Sequence, residues 1–258
     1  MTIASLIDPI TAAPGPVTLQ NAEAWLQGRT LYGGASALIA YTAAVRAYPA
    51  LPPLRAAQIA FSGPVGERFE TRVSVLRAGK SVTQLRSELI VEGEVGLAAT
   101  FVFGAAREAN ALHPAPPCAP WPGAPEDAER LPNPEALHFI NNFELRRAQD
   151  ESGPGFPLVR RWLRLRDEGG LDPISRLVLI GDTLPPGSMR AMRRKGPLSS
   201  VNWSFNILDP EPETRAGWWL AETASDHADL GYSSERLRLW NADGRLVMVG
   251  MQAAAIFG

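Results

Sequence analysis

The chain has 258 residues, enough for one large domain or two smaller ones built around a substantial core. Its 25 basic and 27 acidic side chains leave a formal charge of −2, so no broad positive field exists to draw in nucleic acid. One cysteine, Cys118, can form neither an internal disulfide nor a thiolate metal cluster and suits a reducing cytoplasm, while only three histidines, His113, His138 and His227, speak against an imidazole zinc site.

The opening MTIASLIDPITAAPGPVTLQ lacks the basic region and apolar block of a signal peptide, and no apolar run of about 18 residues follows, so neither export nor membrane insertion is expected. From Leu31 to Tyr48, LYGGASALIAYTAAVRAY is apolar nearly all round and rich in alanine, as a helix enclosed on every side would be. Four strand-like segments follow, RAAQIAFSG, RFETRVSVLRAGK, SVTQLRSELIVEGE and VGLAATFVFG, with turn signals at Ala78-Gly79 and Glu92-Gly93. Eight prolines between Pro114 and Pro134 then remove backbone donors and predict a connector that is neither helix nor central strand.

Beyond the connector, HFINNFELRR and LVRRWLRLR read as strands, and Asp172-Pro173 supplies an N-cap and a first-turn proline for the helix ISRLVLIGDTLPP. Strands are again expected in LSSVNWSFNIL, GWWLAETAS, SSERLRLW and RLVMVGMQAAAIF, the last two joined by NADG. One pattern thus occurs twice at an offset of about 145 to 150 residues, which sets LYGGAS against LIGDTL and Gly34 against Asp182. The expected organisation is an N-terminal unit over 1–108, a proline-rich linker over 109–136 and a C-terminal unit over 137–258. Each unit would be an antiparallel sheet curled around one buried helix, with edge strands joined into a continuous sheet, helices side by side and the linker outside.

Asp182 follows a run of apolar residues and stands just ahead of Pro185-Pro186, and buried carboxylates are rare unless paired or functional. If Asp172 caps the helix, Ile174, Val178 and Asp182 form one row on its surface. In LSSVNWSFNIL, period-two alternation puts Ser200, Asn202 and Ser204 on one face and Val201, Trp203 and Phe205 on the other. Gln252 is the one polar side chain after Arg245, and a buried amide demands hydrogen-bond partners. RAMRRKG, with Arg190, Arg193, Arg194 and Lys195, reads either as a solvated loop or as a phosphate-binding segment, and SDHAD around His227 is a poor metal site. No G-x-S-x-G elbow occurs.

The helix YGGASALIAYTAA, the strands SVLRAGKSVTQLRSELIVEGEVGLAATFVFG, the GDTLPP segment and the closing NADGRLVMVGMQAAA resemble the acyl-CoA thioesterase II family, an α+β class with a double hotdog fold. The resemblance covers about residues 20 to 105 and 138 to 258. It implies an acyl-CoA thioesterase that needs no cofactor and no metal, with Asp182, Ser200 and Gln252 orienting an attacking water; a nucleophilic Asp182 forming a mixed anhydride, and Ser199 in place of Ser200, stay open at this point. Gly33 and Gly34 would then offer free amides at a helix N-terminus to the oxyanion. A homo-oligomer, dimer or larger, is the expected state. Two rivals are a non-catalytic acyl-binding hotdog protein and a hotdog enoyl-CoA hydratase. The hydratase signature G-D-x-N-P-x-H departs here, with Leu184 for the asparagine and Gly187 for the histidine.

Overall fold

The computed structural model describes residues 3–134, 137–149 and 156–257. A four-residue helix α1 (Ala4–Ile7), strand β1 (Gly15–Thr18) and the small hairpin β2 (Leu26–Gln27) and β3 (Thr30–Leu31) precede the long helix α2 (Gly33–Ala47). Strands β4 (Leu54–Phe61), β5 (Arg68–Ala78), β6 (Val82–Val91) and β7 (Glu94–Gly104) complete the first half. The second half runs β8 (Phe143–Arg147), β9 (Leu158–Leu165), helix α3 (Pro173–Ile180), then β10 (Leu198–Ile207), β11 (Trp219–Asp229), β12 (Tyr232–Asn241) and β13 (Leu246–Ile256).

Eleven strands form one antiparallel sheet in the order β1-β5-β6-β7-β4-β10-β13-β12-β11-β9-β8. The halves join where β4 pairs with β10, Ile59 opposite Trp203 and Ala57 opposite Phe205. Every residue of α2 from Gly34 to Ala44 is buried, because alanines let sheet and neighbouring helix close on it from all sides. The turn between β6 and β7 uses Glu92 and Gly93, both at positive φ, as a tight hairpin requires. Two enclosed helices side by side against one curled sheet are the expected double hotdog.

Three local expectations fail. HFINN is a 3-10 turn, so β8 starts only at Phe143. Asp172 does cap α3, accepting from Ile174 and Ser175 amides at 3.0 Å, but α3 ends at Ile180 and Asp182 stands in the turn beyond it rather than on a helical row. The repeat register also moves: Gly33 opens α2 as Pro173 opens α3, so Asp182 corresponds by helix start to Thr42, not to Gly34.

The described linker residues lie across the outer face of the second half. Trp121 packs edge-on to Trp162 at 5.4 Å, Arg160 donates to the Pro120 carbonyl at 3.2 Å, and Arg146 donates to the carbonyls of Pro125 and Glu126. Beneath them, Trp162, Trp218, Leu220 and Trp240 form an apolar cluster separate from the main core.

Candidate active site

Gly181 closes α3 against the sheet, and a Cβ there would collide with Met248 Cε and stand 2.7 Å from the Trp203 ring. That close approach brings the following residue, Asp182, over β13. Gln252 Nε2 donates to Asp182 Oδ1 at 2.8 Å, which satisfies the buried amide that the sequence singled out. The other carboxylate oxygen faces the start of α2: a Cβ on Gly33 would collide with Asp182 Oδ2 and come within 2.9 Å of the Phe61 ring. Only a glycine fits there.

Gly34 performs a different task. A Cβ on it would run into the Leu179 carbonyl, so it lets the two helices touch backbone to backbone. Tyr32, which caps α2 by position only, donates its hydroxyl to that same carbonyl at 2.5 Å and stacks on Phe139 at 4.3 Å. No acceptor for the amides of Gly33 and Gly34 occurs among the described residues. The unpaired amides and the helix dipole favour negative charge at this point.

Part of Asp182 stays accessible to solvent, yet protein surrounds most of its carboxyl. Burial pushes the carboxyl from 3.8 up to about 7, and the Gln252 hydrogen bond pulls it back only in part. Burial and the charge of Asp182 hold the Tyr32 phenol well above its usual range, while the nearby Thr183 hydroxyl lowers it.

Ser200 reaches this face by a route that alternation does not reveal. The β10–β13 register shifts between Ser200 and Asn202, so Ser200 stands opposite Ala254 and Asn202 opposite Ala253, with Val201 as the extra residue. The bulge turns Ser200 to the inner side, shared with Trp203, Gln252 and fully buried Ala254, while Asn202 and Ser204 face outward. Asn202 steadies the bulge by accepting from the Ala253 amide at 2.9 Å. Ser200 forms no side-chain hydrogen bond to Asp182 or Gln252 among the described residues.

The arginine segment divides. Arg190 donates to the Leu158 carbonyl at 3.1 Å, whereas Arg193 and Arg194 are exposed. Among the described residues no three His, Cys, Asp or Glu side chains gather as metal ligands, and Asp226 is paired with Arg236. Two surface concavities, one beside Thr11, Ala43 and Tyr48 and one among Asp209, Glu211 and Arg245, touch neither Asp182 nor Gln252. Sequence reasoning missed Tyr32 and Glu235. The signal for Glu235 was its alternation in phase with Leu237 and Leu239, which puts a carboxylate on the buried face.

Comparison with known proteins shows what the fold resembles. TesB2, an acyl-CoA thioesterase II from Mycobacterium marinum, superposes with a TM-score of 0.74 at 21% identity, covering 98% of this chain and 97% of that one. A conserved hot dog fold protein of unknown function from Alicyclobacillus acidocaldarius gives 0.82 at 23% identity over 98% of each chain. The tesB protein of Mycobacterium avium subspecies paratuberculosis gives 0.76 at 17% over 100% of each. No match is found among curated proteins. No helix of the described residues is long and apolar enough to cross a membrane. The family model for the acyl-CoA thioesterase N-terminal domain matches residues 21–104 and that for the C-terminal domain residues 119–256. With both domains present in that order, the chain belongs to the acyl-CoA thioesterase family.

Proposed function

We propose that the protein hydrolyses acyl-CoA to a free carboxylic acid and CoA, with Asp182 as general base. The observation that carries this reading is the Asp182 carboxylate held by Gln252 at 2.8 Å against the open N-terminus of α2. A carboxyl raised to about 7 is half ionised at neutral pH and strong enough as a base to take a proton from water. The water oxygen attacks the thioester carbonyl carbon while its proton passes to Asp182, with Gln252 and Ser200 holding the water in line. The oxyanion that forms accepts from the Gly33 and Gly34 amides, each such donor contributing about 3 kcal/mol. Collapse breaks the carbon–sulfur bond, and the departing thiolate takes the proton back from Asp182.

The exposed guanidinium groups of Arg193 and Arg194 suit the phosphates of CoA, with Arg190 nearby in sequence but committed to Leu158. A cytoplasmic homo-oligomer, dimer or larger, belongs to the same reading. So does the division into 1–108, 109–136 and 137–258, although residues 1, 136 and 258 lie outside the described residues.

The test is thiol release from a panel of acyl-CoAs, short, long and aromatic, by wild type and Asp182→Asn. Release that rises with pH through about 7 and falls by about a hundredfold or more in the folded variant supports the reading. Binding without release across the panel overturns it in favour of an acyl-binding protein.

A further inference from the structure

Five carboxylates are buried among the described residues: Glu88, Glu144, Asp209, Glu222 and Glu235. Four of them face arginine: Glu88 meets Arg72 and Arg86, Glu144 meets Arg146 and Arg164, Asp209 meets Arg245, and Glu222 meets Arg160. Glu235 is fully buried and has no arginine partner among the described residues. Its carboxylate accepts instead from the Gly187 amide at 2.8 Å and, more distantly, from the Ser188 amide at 3.4 Å. A buried carboxylate with backbone donors alone is a costly way to fasten a loop, so its value must lie in what the loop holds.

That loop is the continuation of Asp182. Thr223 donates to the Pro185 carbonyl at 2.6 Å, Ser188 donates to Ser233 at 3.0 Å, and Gly187 is wedged so tightly that a Cβ would collide with the Pro157 carbonyl. Glu235 on β12 is also the direct register partner of Gln252 on β13. The segment leaving α3 is therefore gripped twice from adjacent strands, by Gln252 at the Asp182 carboxylate and by Glu235 at Gly187.

We propose that Glu235 is a positioning residue for Asp182, which fixes the segment after α3 through the Gly187 and Ser188 amides and so keeps the acid on Gln252. The inference rests on the reading of Asp182 as the base. Its test uses Glu235→Ala and Glu235→Gln in the full chain, the latter retaining one acceptor oxygen. Two readouts are taken: the Asp182 titration by carboxyl carbon NMR, which needs no turnover, and kcat and KM for thiol release.

Loosening the segment hydrates Asp182, so in Glu235→Ala its titration midpoint falls from about 7 toward the ordinary carboxylate range. In the same variant kcat falls about tenfold with KM within about twofold. Glu235→Gln shows a smaller change of the same sign, and it carries the test if the alanine variant loses its cooperative unfolding transition. A folded variant with the wild-type Asp182 midpoint and wild-type kcat overturns the proposal. A wild type that releases no thiol refutes the hydrolysis reading instead, while the NMR midpoint still decides whether Glu235 positions the acid.

Discussion

The last strands of the two halves show how the repeat has been divided into different tasks. On its inner face β7 presents Leu97, Ala99, Phe101 and Phe103, all buried and apolar. On the matching face β13 presents Met248, Gly250, Gln252 and Ala254, and its neighbour β12 adds Ser233 and Glu235. The helices differ in the same sense. α2 runs unbroken for 15 residues, whereas α3 stops after 8 so that its chain can turn Asp182 toward Gln252. In the reading proposed above, the first half contributes a pair of backbone amides to the chemistry. The first half buries polar groups too, Ser87 and the arginine-paired Glu88 among them, but in the second half Asp182 and Gln252 meet at the candidate site, and such groups reduce stability unless something is gained from them. The candidate site needs both, because Asp182 Oδ2 abuts Gly33 across the junction.

The strongest way to break that junction is a single methyl group. In Gly33→Ala the new Cβ cannot coexist with Asp182 Oδ2, and displacing the carboxylate takes it off Gln252. Thiol release is expected to fall by about a hundredfold, the scale of a misplacement of about an ångström at a reacting group. Alanine is otherwise favourable in a helix, so the loss should come with little change in Tm. In Gly34→Ala the larger effect should be on stability. Its Cβ meets the Leu179 carbonyl, which is backbone and cannot swing away, so stability drops by about 3 kcal/mol as the helices are forced apart. Measuring both variants by thermal unfolding and by thiol release separates the effect of displacing the Asp182 carboxylate from that of forcing the helices apart.

Much of this was legible in the sequence for identifiable reasons. An alanine-rich apolar run has few alternatives to an enclosed helix, Asp172-Pro173 marks a helix start by capping chemistry, and Gln252 stands out because nothing around it is polar. The face of Ser200 was misread: strict alternation put it with Asn202 and Ser204, and the bulge at Val201 separates it from them. A bulge is a property of pairing between strands, so period counting within one strand cannot register it. Gly34 was matched to Asp182 by the likeness of LYGGAS to LIGDTL, whereas the helix starts align Gly33 with Pro173. Short strings of small residues repeat easily; caps and strand pairings fix the register.

The polar half should also reveal its cost as a function of pH. The Asp182 carboxyl lies near 3.8 when unfolded and about 7 when folded, so the folded state binds its proton more tightly. Stability tied to this group is complete below pH 4, is lost progressively as pH rises, and is absent above about 7. Asp182→Asn removes the charge and keeps an acceptor for Gln252. Because the residue as a whole is only half-buried, the difference is discounted to about 2 kcal/mol. The variant is expected to match wild type near pH 4 and to exceed it by that amount near pH 8, read from urea unfolding at the two pH values. Equal stabilities at both would mean that the acid is well hydrated and its raised titration unsupported.

The smallest expected effect completes the comparison. Thr42 occupies in α2 the place that Asp182 occupies after α3, nine residues past the first helical residue in each case. It is buried in the body of the helix. Valine keeps the branched shape of the side chain, so the change in stability should stay within about 1 kcal/mol. Thr42→Val should therefore leave thiol release within about twofold of wild type. If release instead collapses in a folded Thr42→Val, the first half supplies a side chain to the chemistry as well as two amides, and the division of labour between the halves is wrong. An unaffected variant leaves the acid and the apolar support where their strands put them: Asp182 beside Gln252 of β13, and Thr42 in the half whose last strand presents Ala99 and Phe101.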